Sequence, residues 1–170
     1  MNANRNLNVH KFLGVISDTH AYNGGALSSD IKKIFEGADG IIHAGDLTDY
    51  PILQELEHIA TVWAVYGNMD TDQLKKELPE RRIIEWEGKR IGVIHGAKLT
   101  RGDPRDILPV FVGDQIDCLI FGHSHQPFNQ IIKGILCFNP GSPAGLYDYS
   151  PSIGTLRIEE GKIIAEHIVL

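Results

Sequence analysis

The residues best suited to chemistry in this chain are acidic, amide and imidazole side chains that follow five short apolar runs. The runs end in Asp18-Thr19-His20, Gly45-Asp46, Gly67-Asn68, His95-Gly96 and Gly122-His123-Ser124-His125. A short apolar run bounded by turn residues is typical of a buried strand. Ligands of open α/β sheets bind outside the carboxyl ends of the strands. We therefore expect these side chains to meet at one rim.

Together these side chains form a ligand set for transition metals. Carboxylate and imidazole groups suit Zn, Fe, Mn, Co or Ni. Seven ligands are too many for one tetrahedral ion, and the set comprises Asp18, His20, Asp46, Asn68, His95, His123 and His125. They suffice for two ions if one carboxylate bridges, and a two-metal site clamps both the attacking and the leaving oxygen of a phosphoryl displacement. The set contains no cysteine, which argues against a closed structural zinc site.

The charge of such a site would attract an anion. With Asp18 and Asp46 as the anionic ligands, two divalent cations leave the site net positive. The chain as a whole is acidic, with a net charge of −6 at pH 7. A positive site on an acidic protein suits a phosphate ester. The same net charge offers no basic surface for duplex nucleic acid, which we do not expect as a partner.

The secondary-structure pattern that must position these side chains differs between the first and second halves of the chain. Up to residue 79, strand patterns alternate with capped helical patterns, with Ser28 or Ser29 before one helix and Pro51 in the first turn of the next. This alternation predicts a parallel sheet built from βαβ units. From residue 82 onward, strand patterns flank turns at residues 87–89, 133–134 and 160–161, which predicts hairpins, with residues 103–112 partly helical.

Length and composition predict one globular domain over residues 1–170, with the polar residues 1–10 as a flexible leader. The leader lacks the apolar core of a secretory signal. No apolar run approaches the roughly 20 residues of a membrane span, so we expect no membrane partner and a cytoplasmic location. Cys118 and Cys137 lie within apolar runs and are expected to be buried small hydrophobes rather than redox partners.

The order and spacing of the five motifs resemble those of the calcineurin-like metallophosphoesterase superfamily, and the chain is most similar to its small YfcE-type phosphodiesterases. The resemblance spans residues 12 to about 145 and includes Asn139-Pro140-Gly141-Ser142. It implies an α/β fold with four layers, an α/β/β/α sandwich of two mixed β-sheets flanked by helices. It also implies two metal sites that share Asp46 as the bridge: Asp18, His20, Asp46 and His125 in the first, and Asp46, Asn68, His95 and His123 in the second.

The resemblance further implies a metal-dependent hydrolase, with a phosphodiesterase favoured over a phosphomonoesterase. A hydroxide bridging two divalent metals would attack phosphorus in line, and Asp46, Asn68 and His95 would act through metal and substrate positioning. Mn is the favoured metal, with Ni, Zn, Fe and Co as alternatives, because such ligands tolerate several transition metals. The expected substrate is a small phosphate ester. The oligomeric state is left open, with a homo-oligomer as one alternative.

Met69 departs from the superfamily pattern. Many members have a histidine directly after the asparagine, thought to assist the leaving group, and methionine cannot transfer protons. Small phosphodiesterases of this subgroup commonly lack that histidine too, so we expect activity with a bias toward leaving groups that are weak bases. Asp70, two residues after Asn68, is a candidate for positioning a water or another group near the ligands.

Each motif taken alone also has a structural interpretation. Asp and Asn are common in turns and helix caps, which would account for Asp18, Asp46 and Asn68. His95 alone could be a core histidine with satisfied hydrogen bonds. We favour the metal site because the motifs occur together at five strand ends.

Several other polar residues carry weaker signals. His43 precedes Asp46 by three residues, and we favour a packing or ligand-supporting role over ligation. Lys98, Arg101 and Arg105 follow His95 and could meet a substrate phosphate. Solvated side chains are the favoured interpretation, because basic residues usually face water.

Two other functions compete with hydrolysis. The first is a non-catalytic scaffold that binds a protein partner, as in a similar subunit of an endosomal sorting coat. All seven ligand positions are intact here, which disfavours the scaffold. The second is a nuclease, which ranks lower because the chain is short and acidic.

Overall fold

The computed structural model describes residues 11–20, 26–99, 103–145 and 147–170, so the predicted leader at residues 1–10 lies outside the described residues. The strands are β1 (Phe12–Ile16), β2 (Gly40–His43), β3 (Val62–Ala64), β4 (Arg81–Trp86), β5 (Lys89–Ile94), β6 (Cys118–Phe121), β7 (Phe128–Ile132), β8 (Ile135–Asn139), β9 (Ser152–Glu159) and β10 (Lys162–Val169). The helices are α1 (Ser29–Phe35), α2 (Tyr50–Glu57), α3 (Asp72–Glu77), α4 (Pro104–Ile107) and a 3-10 turn (Leu108–Phe111).

Local capping determines where the first three helices begin. Ser28 Oγ accepts a hydrogen bond from the N–H of Ile31 at the start of α1. Asp49 caps α2, which has Pro51 in its first turn, and Thr71 caps α3. A side-chain oxygen at this position satisfies a backbone N–H that has no partner within the helix. The predicted starts of α1 and α2 are confirmed.

The strands form two mixed sheets of five strands each. The first has the order β10-β9-β1-β2-β3, in which β1, β2 and β3 are parallel and β9 pairs antiparallel with both β1 and β10. The second has the order β4-β5-β6-β8-β7, in which β5, β6 and β8 are parallel. Its edge strands β4 and β7 run antiparallel to their neighbours. The parallel sheet predicted for the front of the chain is confirmed.

The later part of the chain is more than the predicted series of hairpins. The β4–β5, β7–β8 and β9–β10 hairpins form, but β5 and β6 are parallel and are joined by α4 and the 3-10 turn. Pro104 opens α4 and Pro109 lies at the start of the 3-10 turn, where a missing N–H costs nothing. Gly92 lets this crossover pack on the sheet, because a Cβ there would collide with the Phe111 ring.

Apolar side chains form three clusters that alternate with the two sheets. The central cluster lies between the sheets and includes Val15, Ile42 and Ile120. The second packs the first sheet against α1, α2 and α3, and the third packs the second sheet against α4 and the 3-10 turn. The predicted four-layer α/β/β/α sandwich is confirmed.

The two cysteines are buried in different clusters. Cys118 belongs to the central cluster and Cys137 to the one beneath α4, and both are free thiols. Burial raises the pKa of both thiols, that of Cys137 to about 11. Both are therefore protonated small hydrophobes, as predicted.

No helix within the described residues is long and apolar enough to cross a bilayer.

Candidate metal centre

The carboxyl ends of strands from both sheets meet at one rim. The N–H of Asp18 donates to the carbonyl of Gly45 at 3.0 Å, and the N–H of Gly122 donates to the carbonyl of His95 at 3.2 Å. Gly122 lies against the other sheet, since a Cβ there would collide with Ser17 Oγ. Glycine at this position therefore allows the loops of the two sheets to touch.

A first group of ligand atoms comes from Asp18, His20 and His125, and all lie within 4.8 Å of one another. The Nε2 atoms of the two histidines are 3.1 Å apart. Asp18 Oδ1 lies 3.2 Å from His125 Nε2 and 3.8 Å from His20 Nε2. Despite the short contact, Asp18 Oδ1 is buried without an aligned hydrogen bond among the described residues. A buried carboxylate oxygen beside two imidazole nitrogens is a donor set that a cation would satisfy.

A second group shares Asp18 with the first and adds Asp46 and His95. His95 Nε2 is 3.2 Å from Asp46 Oδ2 and 3.2 Å from Asn68 Oδ1. The other ring nitrogen, Nδ1, donates to the carbonyl of Ala44 at 2.8 Å, which leaves Nε2 facing these oxygens. Metal-binding histidines usually hold their second nitrogen in this way. Asp18 also belongs to this group, with Oδ1 4.0 Å from His95 Nε2.

The two carboxylates each lie close to imidazoles of both groups. Asp46 Oδ2 is 3.8 Å from His20 Nε2 and 3.2 Å from His95 Nε2. Asp18 Oδ1 contacts the same two rings at 3.8 and 4.0 Å. Each carboxylate therefore lies beside imidazoles of both groups, and Asp46 is the one that the family resemblance predicts as a bridge between two ions.

Each carboxylate has one oxygen fixed by the protein. Asp18 Oδ2 accepts from Ser17 Oγ at 2.6 Å and from the N–H of His123 at 3.1 Å. Asp46 Oδ1 accepts from the N–H of Met69 at 2.7 Å. The second oxygen of each carboxylate is thereby directed toward the imidazoles. Gly67 makes room for this arrangement, because a Cβ there would collide with Asp46 Oδ1.

His123 reaches the same rim but stands at its margin. Its ring centroid is 5.3 Å from that of His95 in an edge-on arrangement, and the residue is half-buried. It belongs to neither tight group of ligand atoms. Six of the seven predicted ligands thus converge at short distances, and the seventh lies beside them.

The backbone at these residues is strained. Positive φ angles occur at Asp18 (54°), His20 (48°), Asp46 (57°), His123 (66°) and His125 (57°). A residue other than glycine in this region costs about 1–3 kcal/mol, and such residues cluster at functional sites. Five strained residues at one rim support its assignment as the functional site.

The pKa shifts within the ligand set favour metal binding at two histidines and oppose it at a third. Burial lowers the pKa of His20 and of His123, which favours the neutral rings that bind metals. Burial alone would lower the pKa of His95, but its hydrogen bond to Asp46 and the charges of Asp18 and Asp46 raise it. Burial likewise opposes ionisation of Asp46, but the hydrogen bond and charge of His95 outweigh it and hold the pKa of that carboxyl below its usual value. A cation there would therefore compete with a proton for His95.

Asp70 holds the backbone of both neighbouring loops. Its carboxylate is buried and accepts from the N–H groups of Gly67 at 2.7 Å, Thr48 at 2.6 Å and Asp46 at 3.2 Å. Burial raises the pKa of Asp70, although two of these N–H bonds oppose the shift. This geometry places Asp70 behind the ligands, where it fixes Asp46. A role in positioning water stays a prediction.

His43 ties the first two loops together. It is fully buried, its Nδ1 accepts from the N–H of Gly45 at 3.2 Å, and its Nε2 lies 3.2 Å from Thr19 Oγ1. The Nδ1 contact makes Nε2 the protonated nitrogen, which donates to the threonine. Thr19 Oγ1 in turn lies 3.4 Å from the carbonyl of Asp46. His43 thus supports the ligand loops rather than facing them.

Two further supporting residues, Asn139 and Ser142, follow β8. Asn139 Nδ2 donates to the carbonyl of Gly122 at 3.0 Å and to Ser124 Oγ at 3.1 Å, beneath the two histidines of that loop. Ser142 Oγ donates to the carbonyl of Asp18 at 2.7 Å. The sequence drew attention to this segment only through the family resemblance, and no pattern in it indicated these contacts.

The basic residues after β5 pair with different carboxylates in the described part of the chain. Lys98 is exposed and pairs with Glu80 at 2.9 Å beside a cleft that also reaches His95. Arg105 pairs with Asp103 at 3.1 Å, and Arg101 lies outside the described residues. Lys98 alone of these is placed next to the candidate centre in the described part of the chain.

The residues at this rim fit divalent metal ions. The buried Asp18 Oδ1 lacks an aligned donor, and the His95 ring is fixed with Nε2 inward. The candidate ligand atoms are carboxylate and amide oxygens together with imidazole nitrogens, a combination that suits transition metals. Cysteine is absent from both groups of ligand atoms.

Comparison with known proteins agrees with this chemistry. A probable metallophosphoesterase of Methanothermobacter thermautotrophicus is 40% identical over 157 residues, which cover 92% of this chain and 91% of the relative. A phosphodiesterase of Methanocaldococcus jannaschii is 29% identical over 163 residues, covering 87% and 93%. The crystal structure of a single mutant of Vps29 from Entamoeba histolytica has a TM-score of 0.76 at 24% identity, covers 94% of this chain and 99% of that chain, and shows the shared fold. The family model for the calcineurin-like phosphoesterase superfamily domain matches residues 12–161, and the chain belongs to this superfamily.

Proposed function

We propose that this protein is a metal-dependent phosphodiesterase that hydrolyses a small phosphate ester. The observation that carries the proposal is the pair of ligand groups around Asp18 and Asp46, in which each carboxylate lies close to imidazoles of both groups. The relative named a phosphodiesterase supports it. Diester rather than monoester hydrolysis is the finer part of the proposal.

Two divalent ions, when bound, would supply Lewis acidity that lowers the pKa of water and offsets charge on the phosphoryl oxygens. We propose that Asp18, His20, Asp46 and His125 hold the first ion. Asp46, Asn68, His95 and His123 would hold the second, with Asp46 shared. Mn is the proposed native metal, with Ni, Zn, Fe and Co as alternatives that the ligand types also suit.

The chain itself contributes placement and charge. The fixed oxygens of Asp18 and Asp46 hold the opposite oxygens toward the imidazoles, so little reorganisation is needed when an anion arrives. Asn68 presents a neutral amide oxygen next to His95, so it adds no negative charge that would repel an anionic substrate. In-line attack of hydroxide would form a new bond to phosphorus as the bond to the leaving oxygen breaks. One alcohol would depart as its anion, and the phosphate monoester would keep the other organic group.

Met69 shapes the preference among substrates. Its backbone N–H binds Asp46 and its side chain is 58% exposed, where the superfamily histidine would otherwise stand. The thioether cannot donate a proton to a departing alkoxide. We therefore propose a preference for esters whose leaving group is a weak base.

The domain organisation, location and type of substrate are proposed from the sequence. We propose a single domain that acts in the cytoplasm on a small-molecule substrate, without duplex nucleic acid. The acidic net charge of −6 is the observation behind the last point.

Hydrolysis of bis(p-nitrophenyl) phosphate tests the proposal. Protein stripped with a chelator should be inactive, and added Mn²⁺ should restore turnover. Asp46→Ala should lower kcat by more than about 100-fold, since loss of a merely supporting residue typically costs 10–100-fold. His58→Ala, on the exposed end of α2, is the matched control and should retain activity. Absence of turnover with every divalent metal in folded protein would overturn the proposal.

A protein-binding scaffold is the second candidate, and the similarity to Vps29 in fold is the observation behind it. A scaffold would retain partner binding when Asp46→Ala abolishes metal binding. It would also show no diesterase turnover in the assay above. The short distances among six ligand residues favour the enzyme.

A further inference from the structure

A cleft of about 660 Å³ opens beside the candidate metal centre. Asn68 and His95 form the edge that it shares with the centre. Its walls also include the apolar side chains of Ile94, Leu99 and Val110. A phosphodiester has two organic arms, and a cleft with apolar walls at the rim of the centre would accommodate one of them.

Among the described residues, three cationic side chains line this cleft, and two of them are already paired. Lys98 binds Glu80 at 2.9 Å, and Arg81 binds Asp114 at 2.6 Å. These carboxylates offset the positive charges and leave little to attract an anion.

Lys75 is different. Its Nζ donates to a neutral acceptor, the backbone carbonyl of Asn68, at 2.8 Å. No carboxylate among residues 11–20, 26–99, 103–145 and 147–170 lies within ion-pair distance of it. An ammonium has three donors, so two remain for another ligand. The charge of Lys75 is therefore available on the cleft side of a proposed metal ligand.

The fold fixes the position of this lysine. Thr71 caps α3 and the buried Leu74 anchors the helix against the first sheet, so Lys75 is half-buried and faces the cleft. Its neighbour Lys76 is exposed and does not line the cleft. The two lysines have the same charge on the same helix and differ in the direction they face.

We propose that the cleft binds a substrate arm that combines an apolar body with a second anionic group, and that Lys75 is the partner of that anion. This proposal rests on the proposed diesterase function. It specifies the substrate as a phosphate ester with a carboxylate or phosphate on the arm beyond the scissile phosphorus. Lys75 is thus a specificity residue, and the apolar walls receive the body of the arm.

A matched pair of diesters tests this inference. The substrates are p-nitrophenyl 3-carboxyphenyl phosphate and p-nitrophenyl 3-carbamoylphenyl phosphate, which differ in one charge at the same position. For the Mn²⁺-loaded wild type, KM should be about fivefold lower for the carboxylate, the size expected of a surface ion pair. Lys75→Met should reduce this preference to less than about twofold, and Lys75→Arg should retain it. Lys76→Met is the control and should behave as the wild type.

Calorimetric binding separates this inference from the proposed function. The probes are 3-carboxybenzylphosphonate and 3-carbamoylbenzylphosphonate, whose carbon–phosphorus bond is not hydrolysed. A preference for the carboxylate that depends on Lys75 supports the anion site even if no diester is turned over. Turnover of both diesters with equal KM in wild type and Lys75→Met would overturn the anion site while the diesterase stands. A uniform loss of kcat for both diesters in Lys75→Met would also overturn it, because Lys75 would then act on the scissile phosphate.

Discussion

The Nε2 atoms of His20 and His125 face each other at 3.1 Å, although the residues are 105 positions apart in the chain. The Asp18 carboxylate lies beside them, with Oδ1 3.2 Å from His125 Nε2. Two imidazole nitrogens at this distance share either a proton or a cation. Burial lowers the pKa of His20 and so favours its neutral ring, which is the form that binds a metal ion.

Metal binding should therefore stabilise the fold through this pair. Mn²⁺ or Zn²⁺ at about 1,000 times its dissociation constant should raise the free energy of unfolding by about 4 kcal/mol per site. We expect His125→Ala to lose one of two bound ions and most of the corresponding rise in melting temperature. Elemental analysis after dialysis and thermal unfolding with and without metal measure the two quantities.

The control for that experiment is His58→Ala, which removes an imidazole from the exposed end of α2. It should bind both ions and show the wild-type rise in melting temperature. Two tightly bound ions in His125→Ala would contradict the assignment of this residue as a ligand.

Asp70→Asn should destabilise the protein because the buried carboxylate accepts three backbone N–H groups. The amide nitrogen of asparagine would face at least one of these donors and leave it without an acceptor. We expect a loss of about 2–3 kcal/mol in the free energy of unfolding, together with a lower affinity for metal, because Asp46 loses its backbone anchor. Urea unfolding of the metal-free protein and metal titration give the two values.

Asp72→Asn is the matched control for Asp70→Asn. Asp72 is exposed in the first turn of α3, so its loss should cost no more than about 1 kcal/mol. Wild-type stability and full activity in Asp70→Asn would remove any role for Asp70 at the centre.

The fold and most of the candidate centre were predictable because the signals are local. The strands before Asp18 and Gly45 are short apolar runs bounded by turn residues, and both features can be read directly from the sequence. Parallel strands then place their carboxyl ends together, which is why separate motifs could be combined into one rim.

The supporting contacts were not predictable because they join distant parts of the chain. Ser142 reaches the carbonyl of Asp18 across 124 positions, and its residue type is common in any loop. The orientation of Lys75 toward the cleft depends on how α3 packs, which no local pattern specifies. The parallel pairing of β5 with β6 was likewise missed, because Pro109 weakened the helical pattern of the short crossover between them.

His43 should make the stability of the protein fall in weak acid. Burial lowers its pKa from 6.5 to about 3, so between these values the unfolded chain binds a proton that the folded protein does not. The contribution of a histidine with a depressed pKa is complete above pH 6.5 and is lost as the pH falls toward 3. Between pH 7.5 and pH 5.0 it should reduce the free energy of unfolding by about 2 kcal/mol.

His43→Gln isolates this contribution because glutamine does not titrate. The wild type should lose about 2 kcal/mol more than the variant between the two pH values, measured by urea unfolding with chelator present. The charged groups around His43 are Asp18, Asp46, His20 and His95, and they are common to both proteins. Equal losses in both proteins would show that His43 is not held neutral.

Met69→His tests the missing proton donor. In the wild type, whose thioether cannot donate, kcat/KM should fall steeply as the pKa of the leaving alcohol rises from p-nitrophenol to an alkyl alcohol. The variant places an imidazole on a side chain that is 58% exposed and whose backbone N–H holds Asp46. It should gain about 10²-fold or more on alkyl esters and little on p-nitrophenyl esters, because general acid catalysis helps only a poor leaving group. A series of methyl aryl and methyl alkyl phosphates measures both slopes, with Met69→Leu as the control for side-chain volume. Equal rates for aryl and alkyl esters in the wild type would show that another group on this chain already protonates the leaving oxygen.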